Sequence, residues 1–382
     1  MTAAASARWA VSALFFVNGL MVGSWAPKVP ALMERLGISE ALAGLMVVAL
    51  GAGSICVMPL FGAMVARAGS ARAVSLSACA VAPALIWISL APSFGWVVAG
   101  VFLFGGLIGG MDVAMNANAV ALERVRGRAI MSSCHGFWSL GAFAGAGTGG
   151  LLIERLGELY QGIAVALVFA GVLAWALPRT VRDAPAPGED KPPLRLPSSP
   201  LPYLIGLLAL AAMIPEGAVL DWAAVYLQRE MGASLSLAGW GFAACAGTMA
   251  VMRFLGDGLR RRLGAVLTLR ISIGVAMAGL ATAGLAQAPG AAIAGFALAG
   301  IGIANIVPIA FSAAGNVPGL ANGVGLSVVT TMGYSGMLLA PGSIGWLAER
   351  ISLGTIYVVL AALLLIPLAL SHLARTADFD GP

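Results

Sequence analysis

Charge is the scarcest property of this sequence. Charged side chains make up 10 % of the 382 residues and hydrophobic ones 60 %, whereas soluble domains carry about 25 % charged residues. Sixteen acids and 21 Lys and Arg residues cannot cover a water-exposed surface, and the mean hydropathy is +0.96. These values exclude a soluble fold and predict an all-α integral membrane protein.

Metal-binding and catalytic side chains are scarce as well. The chain has two histidines and four cysteines, and the cysteines lie in apolar runs without a C-x-x-C pair. Neither a zinc site nor a disulfide framework is indicated. The phosphate-binding motif G-x-x-x-x-G-K is also missing, which argues against ATP-driven transport by this chain. We expect no enzymatic activity and no cofactor, with protons as the coupling ion.

The positive charge is spread along the chain. The net charge is +5, but the arginines stand in short clusters between apolar runs and form no continuous basic face, so no nucleic-acid partner is expected. The expected partners are the lipid bilayer and a small-molecule substrate, and we expect a monomer.

Twelve apolar segments are long enough to cross a bilayer, which takes about 20 residues. Helix seven is predicted from Leu201 to Leu227, helix eight from Leu235 to Leu255 and helix nine from Ala265. The one long polar segment, Pro178 to Pro200, is rich in proline and indicates a linker. The predicted organisation is a six-helix bundle over 1–178, a linker over 179–200 and a second bundle over 201–382.

The distribution of arginine orients these helices. If the amino terminus is cytoplasmic, 16 of the 21 Lys and Arg residues fall on the cytoplasmic side and five on the other. This is the bias expected of cytoplasmic loops. Both termini and the linker are therefore predicted to be cytoplasmic.

An internal repeat supports the division into halves. A shift of 195 residues superimposes helix five on helix eleven, with five identities in register. These are Ser132, Gly141, Gly147, Gly150 and Glu154 on Ser327, Gly336, Gly342, Gly345 and Glu349. Two pseudo-symmetric six-helix bundles are expected.

The loop after helix two carries a motif that resembles the major facilitator superfamily (MFS). Its sequence GAMVARAGSAR, Gly62 to Arg72, is similar to the superfamily pattern G-x-x-x-D-R-x-G-R-R, with Ala66 where Asp is usual. The related stretch Arg253 to Arg262 keeps the acid as Asp257. The resemblance implies the MFS fold and gating roles for charged residues at these two places: Arg67, Arg72, Arg253, Asp257 and Arg261.

Three further stretches resemble a narrower group within the superfamily. They are Gly109 to Asn118, Met131 to Gly141 and Glu216 to Trp222. They are similar to bacterial YbjJ-type and rhizopine-transport-type permeases, distantly related to fucose permeases. The resemblance implies a multi-pass protein of the bacterial cytoplasmic (inner) membrane that works by alternating access, with helices one, four, seven and ten lining the cavity.

Three acids lie inside predicted spans, where a charge is costly and indicates function: Asp112, Glu216 and Asp221. No Lys or Arg is predicted at the same depth, since Lys28 lies near the outer mouth. A buried carboxyl without a cation is suited to carry a proton.

The first of these acids has polar neighbours. Asp112 and Asn116 share one face of helix four, and His135 on helix five lies at comparable depth. Asp112 and His135 are predicted to couple protons. The alternative is a hydrogen-bonded pair that locks the two helices together without titrating.

Helix seven carries the other two acids. Glu216 is near its middle, between Pro215 and Gly217, so a break or bend is expected beside a proton-coupling and substrate-binding acid. Asp221 is about 140° around the helix from Glu216 and is predicted to hold the periplasmic gate. The substrate lining is predicted to comprise Asn18, Trp25, Asn116, Glu216, Trp222, Asn305 and Tyr334.

These residues favour a proton-coupled secondary transporter. Uptake is preferred because helix four carries Asp112 and lacks the Arg that drug and proton antiporters of the superfamily usually have there; proton-coupled efflux of a drug or metabolite is the alternative. An intramembrane enzyme and a non-transporting sensor are more distant alternatives. Without a predicted mid-membrane cation, the expected substrate is a small neutral or weakly cationic, sugar-like solute.

Overall fold

The computed structural model describes residues 3–38, 40–183, 196–233, 235–320 and 323–378, so most of the predicted linker, 184–195, lies outside the described residues. Within them the chain is helical. The helices are α1 (Ala3–Trp25), α2 (Lys28–Leu36), α3 (Glu40–Ala68), α4 (Ser70–Val81), α5 (Ala84–Ser89), α6 (Phe94–Arg126), α7 (Met131–Leu156), α8 (Glu158–Ala176), α9 (Leu201–Arg229), α10 (Leu235–Leu285), α11 (Pro289–Ile303), α12 (Ile306–Gly315), α13 (Val324–Ala348), α14 (Leu353–Leu363) and α15 (Leu365–Leu370). Short 3-10 turns follow at Leu177–Arg179 and Ser371–Ala377.

Eleven helical segments in the described residues are long and apolar enough to span a membrane. One of them, Trp240–Leu285, has 46 residues and contains Gly264 at φ +77°, a backbone conformation outside the helical region. Gly264 divides α10 into two crossings, which brings the architecture to the predicted twelve. The helical backbone continues up to this glycine, so the loop predicted after Leu255 is wrong: Asp257 and Arg261 lie on the same helix as Arg253.

Two prolines have different consequences. Pro215 lies inside α9, which remains helical from Leu201 to Arg229, so the predicted break in helix seven is absent. A transmembrane helix tolerates the loss of one N–H when the rest of its ladder persists. Pro308, by contrast, follows a turn at Ala304 and Asn305 that separates α11 from α12. Without an N–H, Pro308 cannot bond the carbonyl of Ala304.

The chain divides into two compact units. The first comprises 1–127, 134–197 and 319–327, and the second 128–133, 198–318 and 328–382. In the first unit, α3 and α6 pack backbone to backbone, because a Cβ added at Gly53 would lie 2.0 Å from the carbonyl oxygen of Phe102. The second unit buries an aromatic cluster of Tyr226, Phe296 and Tyr357, with ring centroids 4.9–6.3 Å apart.

The 195-residue repeat extends to hydrogen bonds. In the first unit, the Asp183 carboxylate accepts a bond of 2.8 Å from Ser70 N, the first amide of α4. In the second, Asp378 accepts a bond of 2.5 Å from Ala265 N, directly after Gly264. Both acids cap a helix start that follows a glycine of positive φ, since Gly69 has φ +81°. In each unit, an acid that follows the last membrane span thus caps the start of the third span.

Candidate transport sites

The first unit holds a buried polar chain on α6 and α7. Asn116 Nδ2 donates to the Asp112 carboxylate over 3.2 Å and to the Asp112 carbonyl over 2.9 Å. Asn116 Oδ1 lies 3.3 Å from His135 Nε2. The predicted association of Asp112 with His135 thus runs through Asn116, which the i, i+4 spacing on α6 places between them.

A second polar pair of this unit joins α1 to α7. Trp138 Nε1 donates to Asn18 Oδ1 over 2.9 Å, and Asn18 Nδ2 donates to the Ile108 carbonyl over 3.4 Å. Trp25, the other α1 residue predicted to line the cavity, is buried with its ring centroid 6.2 Å from that of Phe104. Both side chains have neighbours within the unit, and their substrate contact stays a prediction.

The second unit contains an ion pair between mid-membrane residues. Arg253 Nη2 lies 3.0 Å from Glu216 Oε1, and the side chains are 8 % and 23 % exposed. Glu216 lies about 22 Å along α9 from Leu201, and Arg253 about 16 Å along α10 from Gly264, at 1.5 Å per residue. The prediction that no cation reaches this depth is therefore wrong. It failed because α10 continues beyond Leu255 and carries Arg253 away from the loop.

Asp221 and Trp222 follow on α9. Asp221 is exposed and makes no hydrogen bond or ion pair with the residues that the structure describes. Trp222 is half-buried; its Nε1 is buried without a partner in the described part of the chain, and its ring edge would lie 3.1 Å from a Cβ added at Gly345. Their roles in gating and substrate binding stay predictions.

Asn305 occupies the turn between α11 and α12. It is fully buried, and neither its Oδ1 nor its Nδ2 has a hydrogen-bond partner among the described residues. Its Oδ1 lies against Gly256 of α10, where an added Cβ would clash at 1.8 Å. An unsatisfied buried amide is costly and fits a group that bonds a ligand or a water molecule. Tyr334 on α13 is half-buried.

Among the predicted gating residues, Asp257 has the clearest contacts. Its carboxylate accepts bonds from Ser132 N at 2.9 Å and Ser133 N at 3.0 Å, and a short one from the Ser133 hydroxyl. These amides open α7, so Asp257 caps that helix. Arg67, Arg72 and Arg261 are exposed near the glycine breaks at Gly69 and Gly264.

Two buried polar side chains of the first unit are not evident from the sequence pattern. Asn118 is fully buried and joins Ser70 Oγ at 2.7 Å to the Val181 carbonyl at 2.8 Å, which ties α4 and α6 to the segment after α8. Lys28 is also fully buried. Its Nζ donates to Ser89 Oγ over 2.6 Å and to the Glu158 carbonyl over 2.7 Å. Hydropathy alone gives no sign that one lysine is buried.

The Lys28 amine lies outside the membrane-spanning helices. The pKa of Lys28 is lowered from 10.5 to about 8, mainly by desolvation on burial, while the Glu158 charge raises it and the Arg35 charge lowers it by smaller amounts. A neutral amine keeps two N–H donors, enough for its two acceptors. The site is therefore compatible with either charge state.

Comparisons with known proteins agree with this architecture. The profile of the Major Facilitator Superfamily matches residues 11–341. The chain belongs to this superfamily. An uncharacterized MFS-type transporter of Yersinia pestis is 35 % identical over 352 residues, covering 92 % of this chain and 91 % of that protein. Membrane protein MosC of Rhizobium meliloti is 32 % identical over 350 residues, covering 90 % and 84 %.

Among solved structures, the chain is similar to FucP, the Escherichia coli fucose:proton symporter. One FucP structure gives a TM-score of 0.81 at 16 % identity, covering 98 % of this chain and 99 % of that one. At this identity the likeness shows the fold. The MFS fold and the membership of a family of transporters confirm the fold class and the transporter assignment.

Proposed function

We propose that this MFS transporter takes up a small, neutral, sugar-like solute together with protons by alternating access. The observation that carries the proposal is the pair of Glu216 and Arg253 in the second unit, 3.0 Å apart and largely buried. A carboxylate held by one guanidinium can exchange that partner for a proton.

Protonation of Glu216 alone is unfavourable, because it gives up the ion pair with Arg253. Removing one member of a buried pair costs about 3–5 kcal/mol, and the lower end of this range applies here because 23 % of Glu216 is exposed. Hydroxyl groups of a solute can accept bonds from the released guanidinium. Proton and solute therefore favour each other's binding, as symport requires. Deprotonation of Glu216 restores the pair and weakens solute binding.

The charge balance favours a neutral solute. Glu216 and Arg253 together have no net charge, so a neutral solute adds no charge to this site, and the Arg253 guanidinium supplies hydrogen-bond donors to it. FucP, which shares the fold, is a fucose:proton symporter. This supports sugars and polyols as the first solutes to test.

Proteoliposomes test the proposal directly. L-Fucose and a panel of neutral monosaccharides and polyols are supplied outside, and an entrapped pH dye reports proton entry. We expect at least one solute to accumulate under an inward proton gradient, to acidify the lumen and to leave after a protonophore. As a matched control, Glu349→Gln removes an exposed acid 3.7 Å from Arg350 and should transport normally. Solute entry without proton movement would contradict the proposal.

A further inference from the structure

A groove runs along the outer face of the first unit between α1, α7 and α8. It has a volume of about 450 Å³ and is lined by Trp9, Ser12, Ala13, Phe16, Phe137, Leu140, Val172 and Trp175. Three of these residues are exposed at the protein surface: Trp9 is 53 % exposed, Leu140 47 % and Trp175 41 %. The groove lies near the start of α1 and α7 and the end of α8, and so at one membrane surface.

The lining of the groove is almost entirely apolar. Ser12 is its one hydroxyl, and that group donates to the Arg8 carbonyl over 3.0 Å and accepts a short bond from the Arg8 guanidinium. All other lining side chains are apolar or aromatic. A hydrocarbon chain fits such a lining, whereas a polar solute would lose its hydrogen bonds to water.

The rim of the groove is positively charged. Arg179 is exposed, its guanidinium carbon is 5.2 Å from the centroid of the Trp175 ring, and its Nη1 donates to the Trp175 carbonyl over 2.6 Å. Arg182, three residues later, is also exposed. Arg179 forms no ion pair with the acids that the structure describes. A guanidinium offers five donors, and most of those of Arg179 remain available to a phosphate.

We propose that this groove binds one acyl chain of an anionic glycerophospholipid whose phosphate is held by Arg179. A basic rim beside an apolar cleft between transmembrane helices is the arrangement that selects anionic headgroups. A Trp and Arg pair of the same i, i+4 spacing in the second unit has a different charge environment. There Arg350 stacks 3.8 Å above the Trp346 ring, but Glu349 Oε2 is 3.7 Å from its guanidinium and offsets the charge.

Native mass spectrometry of the purified full chain tests the proposal. The protein is mixed with equal amounts of phosphatidylglycerol and phosphatidylcholine that carry the same acyl chains. We expect wild type to retain the anionic lipid about fivefold more than the zwitterionic one, the effect of one arginine near an anionic group. Arg179→Gln should lower this ratio to about one, Arg179→Lys should keep most of it, and Arg350→Gln should leave it unchanged.

A further variant tests the groove itself. Ala13→Leu fills the cleft without altering the rim, and we expect it to lose the retained lipid altogether. Size-exclusion profiles and Tm values establish whether each variant is folded. If Ala13→Leu is not folded, the comparison of Arg179→Gln with Arg179→Lys tests the proposal. Equal retention of both lipids by wild type, an unchanged ratio in Arg179→Gln, or full retention by folded Ala13→Leu would each overturn the proposal.

Discussion

The two units bury their polar groups in different ways. In the first, Asp112, Asn116 and His135 form a chain of hydrogen bonds in which an amide lies between the two groups that can titrate. In the second, Glu216 and Arg253 meet directly as opposite charges. The energy of a charge pair changes strongly when one member gains a proton. In the first unit the Asn116 amide separates Asp112 from His135, so a change of charge on one acts less directly on the other. We therefore expect coupling to depend on the second unit more than on the first.

The repeat makes a second comparison possible at the opposite ends of the helices. In the first unit Arg35 pairs with the Glu158 carboxylate at 3.1 Å, at the start of α8. A shift of 195 residues places Glu230 at the position of Arg35, and its carboxylate accepts bonds from Leu353 N at 2.6 Å and Gly354 N at 3.3 Å, at the start of α14. The residue at this position is basic in the first unit and acidic in the second. Both contact the start of a later helix, but the first does so through an ion pair and the second through backbone amides.

The largest expected effect comes from breaking the charge pair on one side. Arg253→Gln leaves Glu216 without its cation, and we expect stability to fall by about 3 kcal/mol, the lower end of the range for buried pairs. Thermal unfolding in detergent measures this loss. The double variant Glu216→Gln/Arg253→Gln carries no unpaired charge and should recover most of the Tm. A double variant as unstable as the single one would show that the charges do not interact.

The first unit should respond less. Asp112→Asn keeps shape and hydrogen bonding and removes one charge, so proton-driven accumulation should fall several-fold while solute exchange persists. His135→Gln should have a similar or smaller effect. Accumulation and counterflow assays in proteoliposomes distinguish the two activities. Unchanged accumulation in both variants would leave a structural lock as the role of this chain.

The helix caps allow a comparison of stability alone. Asp257→Ala removes the acceptor of two α7 amides, and we expect a cost of about 1–2 kcal/mol. Asp183→Ala removes the acceptor of one α4 amide, Ser70 N, and should cost about half as much. Tm values of the two variants give the ratio. If Asp183→Ala lowers the Tm more than Asp257→Ala does, the number of capped amides does not determine what each acid contributes to stability.

Lys28 should give an effect that appears only as a change of stability with pH. Its folded pKa of about 8 lies below the unfolded value of 10.5, so the unfolded chain binds more protons between these values and stability rises with pH across that range. Below pH 8 the full penalty of burying the charge is present. Lys28→Met lacks this titration. The Tm of wild type should therefore rise relative to Lys28→Met from pH 8 to 10.5; parallel curves would refute the shifted pKa.

Hydropathy and the repeat were sufficient to predict twelve crossings, because span length and small-residue spacing are local properties of the sequence. The polar contacts were harder. Asp112, Asn116 and His135 could be grouped from helical spacing and depth, yet Arg253 was assigned to the cytoplasmic end because polar residues after Leu255 look like a loop. The α10 helix continues through them, since arginines are good helix formers and Gly264 is the first residue that leaves the helical conformation.

Proline posed a related problem. The sequence predicts a break or bend at Pro215, but α9 stays helical through it, and the turn lies at Asn305, before Pro308. Proline removes one hydrogen bond wherever it stands, and tertiary packing decides whether the helix yields. The buried Lys28 also depends on packing, because its partners Ser89 and Glu158 lie 61 and 130 residues away in the chain.

The affinity for a transported solute as a function of pH tests the central claim most directly. Binding of a solute identified in the proteoliposome screen is measured by tryptophan fluorescence in wild type and in Glu216→Gln. We predict that wild type binds more weakly as pH rises, because Glu216 loses its proton and recaptures Arg253, while Glu216→Gln binds with a Kd that stays constant over the same range. An equally steep pH dependence in Glu216→Gln would show that the proton is carried elsewhere and would contradict the account.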